Sequence, residues 1–87
     1  MSELMRTHRV GLADIYVPTK LAKSLDPAKA EALAEDILEN GLKVPVQLRR
    51  DEARGRFVLV AGLHRLEAVR ALGEETIDAL VVQTPKR

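Results

Sequence analysis

The feature that most constrains this chain is the stretch from Phe57 to Gly73, FVLVAGLHRLEAVRALG. An apolar run with strand character passes through Ala61-Gly62 into a His-Arg pair, and then into an amphipathic segment that stops at a glycine. The spacing predicts a strand, a glycine turn and a helix start in immediate succession. That order has a chemical consequence, because the first amides of a helix have no intrahelical acceptor and the helix dipole is positive there. Such a turn can cradle an anion, phosphate above all. His64 and Arg65 fall in the first turn of the expected helix, Leu63 to Leu72, where they can add charge-assisted hydrogen bonds to the same ligand.

The remaining elements are expected to support this turn. Leu66, Val69 and Leu72 recur at three-residue spacing with Ala68 and Ala71 beside them, a narrow core stripe that leaves His64, Glu67 and Arg70 on another face. Upstream, VPVQLRR (44–50) and Arg56 to Val60 flank the polar segment DEARG, which predicts a hairpin. Pro45 cannot donate to a ladder and belongs at the start of its strand or on an edge. Phe57 to Val60 are apolar without alternation, so this strand is expected to be central and covered on both faces.

Asp26-Pro27 predicts a helix start and Asn40-Gly41 its end. Between them Ala30, Leu33, Ala34, Ile37 and Leu38 form one face. Lys29, Glu31, Glu35, Asp36 and Glu39 form the other, read as a solvated surface. Residues 10–17, VGLADIYV, alternate loosely and predict a first strand ended by Pro18; PTKLAKSL then reads as a loop or a single helical turn. TIDALVVQ, Thr76 to Gln83, is the expected last strand before a polar tail, Thr84 to Arg87.

Composition removes several function classes. One domain is expected over residues 1–87, with its core from about residue 10 to 83, since 87 residues support a single modest core. Tyr16 and Phe57 are the only aromatic residues, so there is no stacking platform for single-stranded nucleic acid. With no cysteine, thiol redox chemistry and cysteine-based zinc sites are excluded. The start, MSELMRTHRV, lacks the apolar region of a signal peptide, and no apolar run approaches the ~20 residues of a membrane span. A soluble, cytoplasmic protein is expected. The formal charge of +1 gives no global attraction to DNA. Locally, Lys43, Arg49, Arg50, Arg54, Arg56, Arg65 and Arg70 outnumber Asp51, Glu52 and Glu67, so the hairpin and the turn are expected to share a basic face able to meet a DNA backbone.

The order of these pieces resembles the ParB/sulfiredoxin superfamily, and in particular a small single-domain protein of the ParB N-terminal (ParB-like nuclease) type. ParB-type domains have a helix ending in glycine, a Gln-Pro-Ile strand, and a later strand that runs into Gly-Glu-Arg-Arg at a helix start; sulfiredoxins carry Gly-Cys-His-Arg there. The matching residues are Leu33 to Gly41, Val44-Pro45-Val46 through Arg49, and Gly62-Leu63-His64-Arg65, continued by Leu66 to Ala68 and Leu72-Gly73. The resemblance implies an α+β fold, a small mixed β-sheet with helices packed on it, whose glycine turn binds nucleotide phosphates. Carried over by position, Gly62, Leu63, His64 and Arg65 form the phosphate site and Arg49 lies at its rim.

The departures define the alternatives. Leu63 stands where relatives carry a glutamate or the catalytic cysteine, which removes the sulfinic-acid reductase reaction and the acidic group for metal-assisted hydrolysis. Val44 replaces the usual glutamine, and the amino-terminal Pro-Arg box is not recognisable around Tyr16 to Lys23. A phosphate-binding module without catalysis is the leading expectation, with no protein metal site. The enzymatic alternative is a nuclease or NTPase that takes a nucleoside triphosphate with Mg2+, for which Glu67, one helical turn after His64, is the nearest candidate base. A third alternative is DNA binding or a non-catalytic protein-interaction module, including a homodimer, since the Pro45 edge and the small core leave room for a partner.

Overall fold

The computed structural model describes residues 7–82. The predicted tail from Thr84 and the last residue of the predicted final strand, Gln83, lie outside the described residues. Five strands, β1 (Thr7–Gly11), β2 (Ile15–Tyr16), β3 (Val46–Asp51), β4 (Arg56–Ala61) and β5 (Thr76–Val81), form one mixed sheet in the order β1-β5-β3-β4-β2. Three helices, α1 (Thr19–Ala22), α2 (Pro27–Asn40) and α3 (Leu63–Ala71), complete the α+β fold.

The single strand expected over residues 10–17 is in fact two, separated by a 3-10 turn at Leu12–Asp14 and lying on opposite edges of the sheet. The loose alternation misled because Leu12 is buried as part of the turn and not of a strand. This arrangement requires curvature. Gly11 and Ile15 are four residues apart and can span at most about 14 Å. Five flat strands would hold their outer members about 19 Å apart. The sheet must therefore coil until its edges approach, as in a partly closed barrel.

Strand β3 lies at the centre, antiparallel to β4 and parallel to β5. Pro45 directly precedes it, so the ladder loses no donor, as expected from the sequence. The expectation for Phe57 to Val60 needs correction: Val58 and Leu59 are buried, but Val60 is exposed, because the neighbour on that side, β2, pairs only through Ile15 and Tyr16.

One face of the sheet carries the core. Val46, Leu48 and Leu59 meet Leu63, Leu66 and Val69 of α3, with Val10, Ile15, Ile77 and Ala79 around them. Helix α2 contributes less than its pattern implied. Ile37 packs against the core, but Leu38 is 73% exposed and Ala71 of α3 is also exposed, so both predicted apolar faces are narrower than written in the sequence. The start of α2 is as expected, with the Asp26 carboxylate accepting the Ala28 N–H at 3.1 Å.

The basic face expected of the hairpin is paired only in part, through Asp51 with Arg54 and Arg56. Asp51 accepts from Arg56 Nε at 3.3 Å, lies 3.6 Å from Arg54 Nη1, and accepts the Arg54 backbone N–H at 3.3 Å. Arg56 also stacks over Tyr16 and Arg50 over Phe57, while Arg70 pairs with Glu67. Partial burial raises the Asp51 carboxyl, but the Arg54 amide, the hydrogen bond from Arg56 and the two guanidinium charges together outweigh it and hold it below the ordinary carboxylate range.

Two outcomes follow for stability. Because the Asp51 pKa is depressed on folding, its contribution is present above the unfolded value of about 4 and disappears as pH falls through the lower folded value. Acid titrations of stability should then fall less steeply below about pH 4 in Asp51→Asn than in wild type; identical slopes would contradict this. Leu66→Ala, at a fully buried position, should cost about 2–5 kcal/mol by denaturant unfolding.

Candidate functional site: a strand-to-helix turn under two helix starts

Gly62 is the N-cap of α3 and adopts φ +106 and ψ 30, in the left-handed region. A side chain is excluded there for a second reason. A Cβ on Gly62 would lie 2.8 Å from Cγ1 and 3.2 Å from Cα of Val46, which is fully buried in β3. The turn thus presses directly on the central strand. Leu66 N–H donates to the Gly62 carbonyl at 2.9 Å, closing the first turn of α3. The amides of Leu63, His64 and Arg65 precede that bond and have no intrahelical acceptor.

Among the described residues nothing substitutes for one. The N-cap makes no side-chain hydrogen bond and the first turn holds no acidic residue. Helix α2 differs, since Asp26 supplies both a cap and a negative charge at its start. The two helices run in parallel: Asp26 N–H donates to His64 Nε2 at 3.0 Å at their starts, while Ile37, Leu38 and Leu42 share a cleft with Val69 and Leu72 at their ends. Two positive dipole ends therefore converge on one side of the molecule, and only one of them is complemented.

A cleft of about 260 Å³ lies there, lined by Lys29, Leu33, Gly62, Leu63, His64 and Arg65. The structure brings four predicted residues together and assigns them unequal parts. Leu63 is buried in the core, so at the cleft it offers chiefly its backbone. The His64 ring, accepting at Nε2, is the neutral tautomer with its proton on Nδ1. Arg65 Nη1 donates to the Val44 carbonyl at 3.2 Å, which holds the guanidinium beside the segment leading into β3. Arg49 is not among the lining residues; it faces Val58 in the β3–β4 ladder. Glu67 is likewise outside the cleft, with its carboxylate 3.4 Å from Arg70 Nε.

Lys29 also lines this cleft, which the sequence did not signal. Helical spacing placed it on the solvated face of α2, and that spacing carries no sign that α2 and α3 begin side by side. A larger cleft of about 320 Å³ opens at the opposite end, lined by Ile37, Leu42, Val69, Leu72 and Ile77 among others. Both helices present their carbonyl ends there, so it is the wrong pole for an anion.

The turn has a direct test. Gly62→Ala combines a left-handed φ with a contact to main-chain and side-chain atoms of β3. It should lower stability by roughly 2–4 kcal/mol, seen as a reduced urea midpoint with unchanged slope. An unchanged midpoint would show that β3 does not constrain the turn.

Comparison with known proteins places these features in a wider group. The model of the ParB N-terminal domain matches residues 2–87. A nucleoid occlusion protein of Halalkalibacterium halodurans is 38% identical over 56 residues, 64% of this chain and 19% of that protein, so the chain spans about a fifth of this relative. The crystal structure of sulfiredoxin from Arabidopsis thaliana superposes with a TM-score of 0.79 at 28% identity, covering 91% of this chain and 86% of that one. The C-terminally truncated chromosome-partitioning protein ParB from Caulobacter crescentus, complexed with CTP-gamma-S, gives a TM-score of 0.79 at 19% identity, covering 93% of this chain and 46% of that one.

Proposed function

The chain belongs to the ParB N-terminal domain family, and on that premise we propose that it binds a nucleotide through its phosphates at the Gly62–Arg65 turn. The observation that carries this reading is the uncapped start of α3, whose free amides open on a cleft flanked by Lys29 and Arg65. Backbone donors, a positive dipole end and two cations suit a polyphosphate better than a single small anion. The ParB of the same fold is described with a nucleotide analogue, which supports a nucleotide over other phosphate ligands.

The same lining argues for binding without turnover. Phosphoryl transfer needs a group that activates the nucleophile, and among the described residues no carboxylate lines the cleft. Glu67 is engaged by Arg70 outside it. Nor do the lining side chains include a hard-oxygen donor for Mg2+, so they do not form a protein site for that ion. DNA contact receives less support, because Asp51 counters Arg54 and Arg56 on the hairpin.

Calorimetric titration with CTP, ATP and the corresponding nucleosides tests the reading. Both triphosphates should bind more tightly than their nucleosides, and Lys29→Ala and Arg65→Ala should each weaken binding roughly tenfold, the size of one charge-assisted hydrogen bond. Failure of wild type to bind either triphosphate, or affinities indifferent to both substitutions, would refute it.

A further inference from the structure

His64 lines the cleft, yet its Nε2 is already occupied by the Asp26 N–H at 3.0 Å. This bond joins residues 38 positions apart and ties the first turn of α3 to the residue that caps α2. Asp26 therefore has its two polar ends committed in opposite senses: its N–H donates to the imidazole, and its carboxylate accepts from Ala28 at 3.1 Å. Lys29 sits one residue beyond Ala28, in the turn that these two bonds fix. The imidazole lines the same cleft as the start of α3 and Lys29 of α2.

We propose that His64 is a positioning residue, which by accepting the Asp26 N–H holds the first turn of α2, and with it Lys29, over the Gly62–Arg65 turn. The inference rests on the phosphate-binding reading and adds a coupling to it. In this role His64 acts as a neutral acceptor and not as a cation that meets the ligand. Its contribution to affinity passes through Lys29.

Two measurements separate this role from direct contact and from general destabilisation. In the free protein, NMR should show a scalar coupling between the Asp26 amide nitrogen and His64 Nε2, which only an N–H···N hydrogen bond transmits. Its absence would overturn the proposal. With CTP as the probe, His64→Ala should weaken binding severalfold but no more than Lys29→Ala does. The double variant should be no weaker than Lys29→Ala alone, because both changes remove one contribution. His64→Gln, whose side-chain oxygen can accept the same N–H, should recover most of the loss.

Additive losses in the double variant would mean that the imidazole touches the ligand itself and would overturn the positioning role, as would a Gln variant as weak as Ala. If wild type binds no CTP while the coupling is present, the phosphate reading fails and the link between the helix starts stands.

Discussion

Gly62 and Val46 occupy space that leaves no room for a Cβ between them. Val46 is the first residue of the central strand, and Gly62 is the residue at which the neighbouring strand gives way to α3. Their contact fixes where β4 must end, at what angle α3 departs and how closely its start approaches the sheet. Leu63 and Leu66 then enter the core beside Val46 and Leu48, and the hydrophobic burial that stabilises the domain is the same burial that holds the turn in place. A left-handed glycine under this constraint sets the helix start without a side chain to cap it.

Electrostatics then distinguish the two ends of the helix pair. Parallel helices add their dipoles instead of cancelling them, and Asp26 compensates α2 while the start of α3 is left with donors alone. Elsewhere among the described residues some opposite charges pair locally: Asp51 with Arg54 and Arg56, Glu67 with Arg70, and Asp78 with Arg9 at 3.5 Å. These are partly exposed pairs whose energetic value is small.

Much of this was legible in one dimension. Asp26-Pro27, the hairpin around DEARG and the passage from Val60 through Gly62 into α3 all depend on local chemistry, which is why their positions agree with the structure to within about a residue or two. What failed depended on distant contacts. VGLADIYV reads as one strand because alternation does not report that Gly11 pairs with Thr76 and Ile15 with Phe57. Leu38 reads as core because helical spacing cannot say how much of α2 the small sheet will cover. Lys29 is exposed, as its place on the outer face of α2 implied, but helical spacing does not say that it also lines the cleft, and the His64–Asp26 bond has no local signature. The resemblance to the superfamily located the turn, whereas only the packing of α2 beside α3 identified its second wall.

The central claim is that the free amides at the start of α3, with Lys29 opposite, receive a nucleotide's phosphates. Backbone amide spectra of the wild-type protein recorded across a CTP titration test it most directly. The largest changes are predicted at Leu63, His64 and Arg65, with a second group at Ala28 and Lys29. Changes confined to the opposite cleft around Ile37, Leu42 and Leu72, or no changes at saturating CTP, would contradict the account.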